Sequence, residues 1–137
     1  MRERLGVALF VLGSTFLWIV PPFAGSLERA TPLADVLHIL GVATIVVFGA
    51  AAWALARDLP WWVHAARWAA ALGLVTCAAV AAVDVAVGHD VLLGLDVLAH
   101  AAGCGALLVL ATVPALRSTL GDRWRELEAR RRPWYLD

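Results

Sequence analysis

The sequence predicts an all-α, polytopic membrane protein, with four transmembrane helices in one bundle and a short cytoplasmic amphipathic helix at the C-terminus. Composition comes first. Of 137 residues, 62% are hydrophobic and 16% charged, where a soluble domain carries about 45–50% and about 25%. The mean hydropathy is +0.80. Spacing comes second: the apolar residues fall into four runs separated by polar punctuation. Each run approaches the roughly 20 apolar residues that a spanning helix needs. Third, none of the runs alternates as a strand would. A backbone in lipid must satisfy its own hydrogen bonds, so helices are the default.

The first helix is expected over 5–23, with Pro21-Pro22 marking its end. Its alternative is a cleaved signal peptide. Arg2 and Arg4 would be the charged start, and Phe23-Ala24-Gly25-Ser26 would lie near the cut. Glu3, the bulky Phe16-Leu17-Trp18 segment and the paired prolines favour a retained helix. The second helix is expected over 33–55 and stops at Arg57-Asp58-Leu59-Pro60. The third, over 61–87, stops at Gly88-His89-Asp90, and the fourth covers 91–116. The length allows one such unit, making residues 1–116 a single transmembrane domain. The tail, 117–137, repeats Leu120, Trp124 and Leu127 at helical spacing among arginines. That pattern reads as an amphipathic helix on the cytoplasmic leaflet.

Orientation follows from arginine. Arg2 and Arg4 precede the first helix, Arg57 and Arg67 flank the second-to-third link, and six arginines follow the fourth helix. The other two links share only Arg29. The positive-inside rule places both termini and the middle link in the cytoplasm of a multi-pass cell-membrane protein. Trp18, Trp53, Trp61, Trp62 and Trp68 stand near helix ends as interface anchors. His64 reads as part of the same anchor. The net charge is zero and all eleven basic residues are arginine. No basic surface is left over for a nucleic acid.

Given that orientation, the intramembrane polar residues gather in the outer leaflet. At helical rise, Asp35, His38, Asp84 and Asp96 lie roughly 3–8 Å below the outer boundary, and His100 about 13 Å. Charged groups in a span normally face the bundle interior and pair. Asp96 and His100 are four apart, and Asp35 and His38 three apart, so each pair shares a helix face. The expected site is a polar pocket of His38, Asp84, Asp96 and His100, with Asp35 and the Gly88-His89-Asp90 turn at its mouth. Such a pocket suits a lipid headgroup or another polar envelope molecule. Its histidines would make binding sensitive to pH between about 5 and 8.

Other occupants and other roles have their own signatures. His38 and His100 could serve as axial ligands of a haem, and the aspartates with a histidine could hold a divalent cation. No dedicated cofactor motif is present, so binding without a cofactor is the first expectation. A structural subunit, pairing its polar residues with a partner's helices or a second copy, is the remaining alternative. No serine or cysteine has an evident base in its own segment, and neither a phosphate loop nor a zincin helix occurs. Binding is therefore expected over catalysis. Cys77 and Cys104 lie in apolar runs and read as small packing residues. The Asp-Val-Leu starts at Asp35 and Asp96, with His38-x-x-Gly41 and His100-x-x-Gly103, hint at a parallel repeat whose spacing slips by one. The apolar inner halves offer no polar path for a transporter.

The order of these elements resembles the VanZ-like family of small membrane proteins. The resemblance covers residues 10 to 112. Asp96-Val97-Leu98-Ala99-His100-Ala101-Ala102-Gly103 keeps that family's aspartate and glycine spacing, with His100 in place of asparagine. His38 keeps the histidine that opens the second helix, with Ala34 and Asp35 where the family has Asp-Lys. Asp84 stands near the expected glutamine and Ala81 near the glutamate. Gly88-His89 stands at the Gly-Arg turn, and Ser14 lies in the first helix. The resemblance implies a four-helix fold at the cell envelope and a link to glycopeptide resistance, without a defined reaction. Loss of the Asp-Lys pair, the glutamate and the arginine implies a changed or lost activity.

Overall fold

A computed structural model of the protein describes residues 2–26, 31–57, 59–87 and 91–114, with positions 118 and 122. Four helices follow one another: α1 (Arg2–Ser26), α2 (Thr31–Ala56), α3 (Trp62–Val87) and α4 (Val91–Thr112). Three of them contain segments long and apolar enough to cross a membrane: Asp35–Ala56, Trp62–Ala86 and Leu92–Thr112. In α1 the apolar segment among the residues with described side chains is Arg4–Leu17. The expected tail helix, apart from positions 118 and 122, lies outside the described residues, as does the Gly88-His89-Asp90 turn.

Two helix ends differ from their expected positions. Pro21 and Pro22 do not stop α1, which continues to Ser26. Proline removes the N–H that would reach back one turn and its ring crowds the carbonyl there, but its fixed φ is itself helical, so a helix can run on through it. In turn, α4 ends at Thr112 rather than at 116. Pro114 disfavours helical geometry at the residue before it, Val113, which is the first residue outside the helix.

The helices form an antiparallel bundle, with close pairs that run in opposite directions along each neighbouring pair. Gly6 and Gly13 of α1 face Ala52 and Phe48 of α2. Thr44 of α2 bonds Thr76 of α3. Gly73 and Arg67 of α3 meet Cys104 and Ala111 of α4. These sequential neighbours pack broadly, whereas α1 touches α4 along a narrow seam. The α2–α3 link is tied down by backbone bonds from Arg57 to Trp53, Leu59 to Ala54 and Trp62 to Leu59.

One layer of the core draws a residue from every helix: Phe16, Phe48, Gly73 and Cys104. Both phenylalanine rings are fully buried and stack with centroids 6.0 Å apart. A Cβ on Gly73 would lie 2.6 Å from Cys104 Sγ and 3.4 Å from each ring. The missing side chain is thus what admits the other three. Small residues extend this close packing: Ala51, Ala54, Ala66, Ala69, Ala70 and Ala111 are all fully buried. Without a hydrophobic force between helices in lipid, small residues let backbones approach and gain dispersion contact.

Among the described residues, each of the four helices presents large apolar side chains on its outer surface. Val7 and Phe10 of α1, Ile39 and Val46 of α2, Val75 and Val85 of α3, and Leu92 and Leu98 of α4 are exposed. In water such continuous apolar surface would drive association; against lipid it is the natural solvent-facing side. At the α2–α3 end, Trp53, Trp61 and Trp68 are exposed, with the rings of Trp53 and Trp61 6.1 Å apart. Arg57 and Arg67 belong to the same end. The guanidine of Arg67 donates to the Ala111 carbonyl at 3.1 Å, capping the last turn of α4 from the neighbouring helix.

Thr44 and Thr76 form a polar clasp in mid-span. Both are fully buried, and their hydroxyls lie 2.8 Å apart. Each oxygen also lies within bonding distance of a carbonyl one turn back, Leu40 at 2.8 Å and Leu72 at 2.9 Å, and the two hydroxyl protons serve two of these three contacts at a time. Replacing Thr44 by valine keeps the shape and leaves Thr76 still bonded to Leu72. The expected loss is therefore only about 0.5–1.5 kcal/mol, read as a shift in detergent-induced unfolding. A larger loss would mean that the clasp supports more than this one contact.

Candidate functional site

Antiparallel packing brings the start of α2, the end of α3 and the start of α4 to one end of the bundle. Asp35, His38, Asp84, Asp96 and His100 all belong to this end, while Arg4, Arg57 and Arg67 belong to the other. The five residues differ in setting. Asp84 and His100 are buried, Asp96 is half-exposed, and Asp35 and His38 are exposed on α2. Asp96 and His100 contribute to one feature and Asp84 to a second, while Asp35 and His38 line neither.

The first feature is the α1–α4 seam. Asp96, His100 and Gly103 recur at i, i+4 and i+7, one stripe of α4. A Cβ on Gly103 would lie 3.1 Å from Leu12 Cδ1, so its smallness lets α1 close on α4. One turn along α1 from Leu12, the Thr15 hydroxyl meets His100 Nε2 at 2.8 Å. His100 Nδ1 lies 2.7 Å from the Asp96 carbonyl and 3.6 Å from its carboxylate. The Phe16 ring meets the imidazole edge-on, with centroids 5.1 Å apart.

Proton counting defines what this seam can do. The Asp96 carbonyl can only accept, so Nδ1 carries a proton. Thr15 Oγ1 also lies 2.8 Å from the Leu12 carbonyl, but a hydroxyl has one proton to give. With a neutral ring, Thr15 donates to Nε2 and releases Leu12. With an imidazolium, Nε2 donates to Thr15, the hydroxyl keeps Leu12, and the Asp96 carboxylate lies beside the new charge. The bridge between α1 and α4 survives in both states, and its polarity reverses. Both ring nitrogens are engaged, so an axial metal bond from His100 would have to displace one of these contacts. Among the described residues, no three His, Cys, Asp or Glu side chains converge to hold a metal ion.

The second feature is a groove between α3 and α4, on a different face of α4. Asp84 lines it, with Ala81 and Val85 of α3 and Gly94, Leu95 and Leu98 of α4. Its volume is about 340 Å³. Asp84 is only 5% exposed, whereas Val85, Leu95 and Leu98 stand 60–72% exposed at the rim. A wide, shallow hollow adjoins it beside Asp96, Leu92 and Ala99.

The free thiols of Cys77 and Cys104 are buried, in keeping with packing roles. Ser14 folds its hydroxyl back on the Val11 carbonyl. The reading of the sequence missed Thr15, Thr44 and Thr76, which bridge helices. A signal was available for the last two, since each is a lone hydroxyl near the middle of an otherwise apolar span. Thr15 had none, because its partner is 85 residues away.

No protein-family profile matches the chain, and neither a curated protein nor a solved structure matches it. The site's chemistry therefore rests on its own geometry.

Proposed function

We propose that the protein is a multi-pass cell-membrane protein that binds a lipid headgroup or another polar envelope molecule at its acidic, histidine-containing end. One observation carries this reading: five ionisable residues from three apolar helices gather at one end of the bundle, and two of them, Asp84 and His100, are buried there. Burying such groups in a span costs about 2.5–3.5 kcal/mol each at the membrane centre, and they mark functional sites by default. The arginines at the opposite end favour a cytoplasmic location for that end and for both termini. In this reading α1, at 25 residues, spans as the fourth helix, and the arginine-rich tail lies on the inner leaflet. The VanZ-like resemblance supports the same address, since Ala81 and Asp84 line one groove and Asp96, His100 and Gly103 share one stripe of α4.

A second reading, a structural subunit or homo-oligomer, is favoured by the open face of α4. It is the least buried of the three apolar spans, and the Asp96 side chain is 50% exposed on it. A partner helix would shield that carboxyl from lipid.

Native mass spectrometry and an absorption spectrum of gently purified protein test the choice. Binding predicts a retained amphiphile at fixed stoichiometry on a colourless monomer. A stable assembly without bound amphiphile would favour the subunit reading. A Soret band or stoichiometric metal would overturn both in favour of a cofactor protein.

A further inference from the structure

The Asp84 groove specifies its ligand more narrowly than the end of the bundle as a whole. Its floor holds a carboxyl group, its walls are hydrocarbon, and its rim is the surface that faces lipid. A groove of about 340 Å³ is at the small end of ligand sites, which run about 300–1,000 Å³. That volume suits a headgroup with the first part of its chains. Asp84 is three residues from the last residue of α3, Val87. At 1.5 Å per residue this is about 4–5 Å below the helix end, the level at which headgroups meet acyl chains.

The charge pattern decides which headgroup. Asp35, Asp84 and Asp96 are the carboxylates that the described residues place at this end, and the described arginines Arg4, Arg57 and Arg67 belong to the other. A headgroup of net negative charge would find repulsion here. A cation finds attraction, strengthened by the low dielectric of the apolar walls. Among cations, a primary ammonium carries N–H donors that a carboxylate can accept as charge-assisted bonds, while a quaternary ammonium carries none. Resting on the binding function proposed above, we infer that the α3–α4 groove holds the primary ammonium headgroup of an amphiphile on Asp84, with its chains lying against Val85, Leu95 and Leu98.

The probe is a nanodisc made of equal parts ethanolamine, choline and glycerol phospholipids with identical chains. Lipids retained by the released protein are counted by native mass spectrometry. The expected result is enrichment of the ethanolamine lipid over the glycerol lipid by about tenfold, the ratio that one charge-assisted bond of about 1.4 kcal/mol supplies. Asp84→Asn should bring that ratio close to one, and Asp84→Glu should keep most of it. Ala81→Leu, which fills the groove without touching the charge, should lower the total lipid retained. Wild-type protein alone is decisive even where a variant fails to fold: choline lipid retained as well as ethanolamine lipid, equal retention of all three, or preference for glycerol overturns the primary-ammonium assignment. Lipid retained without headgroup preference leaves the broader binding function standing. Retention of no lipid at all overturns that function as well.

Discussion

Gly13→Ala is expected to destabilise the bundle by about 1–3 kcal/mol, the usual cost of overpacking a filled core. Alanine is the better helix former by roughly 0.8–1.0 kcal/mol, so propensity alone predicts the opposite sign. Geometry decides. The new Cβ would lie 2.5 Å from the Cβ of Phe48 and 3.1 Å from its Cγ. A Cβ is anchored to its own backbone, so relief requires α1 and α2 to separate. The Phe48 ring cannot swing aside freely because it stacks on Phe16. Gly73→Ala meets chiefly the Sγ tip of Cys104, which can turn, and should cost less. Gly49→Ala and Gly105→Ala meet nothing within 4 Å and should be neutral or stabilising. Unfolding in mixed micelles ranks the four variants. If Gly13→Ala proves as benign as Gly49→Ala, the close approach of α1 and α2 is wrong.

The second large effect belongs to the α1–α4 seam. His100→Ala removes the imidazole that joins Thr15 to the Asp96 carbonyl and leaves a void beside Phe16. Lost polar contact between membrane helices contributes about 0.6–1.7 kcal/mol, and the unfilled volume adds about 24 cal/mol per Å³. A total near 2–3 kcal/mol is expected. Thr15→Val keeps the shape, loses only the hydroxyl and should cost about 1 kcal/mol. The double variant should be less destabilised than the two singles added together, because both remove the same bond. Strict additivity would show that the bridge contributes nothing. Because this seam is narrow, a cross-link between α1 and α4 should also form less readily in His100→Ala.

Much of the architecture was legible along the chain. Long uninterrupted apolar runs need no tertiary context, because lipid permits only helices there. The Asp96–His100 pair was legible too, since four residues always share a helix face. The end of α1 was not. Pro21-Pro22 usually signals a stop, yet a helix can carry prolines when neighbouring structure satisfies the freed carbonyls. The alanine runs include the fully buried residues Ala66, Ala69 and Ala70. Such runs carry no periodic signal because every neighbour is also small and apolar.

The candidate site divides along the same line. Depth along a helix is set by counting residues, so the gathering of aspartates and histidines at one end could be derived from order alone. Rotation about the helix axis cannot. In an amphipathic helix the polar stripe marks the outside, but these helices are largely apolar all round, and their few polar residues mark no common face: Asp35 and His38 are exposed on α2 while Asp84 and His100 are buried. Packing decided that His38 is exposed while His100 is buried, although both precede a glycine by three residues. It decided that Asp84 lines a groove with α4, and that His100 finds a threonine on α1. The amino-acid order determined a membrane-type helical bundle and the level of its polar residues. The tertiary structure decided which of those residues meet, because contact depends on helix rotation and on where glycine and alanine let the backbones approach.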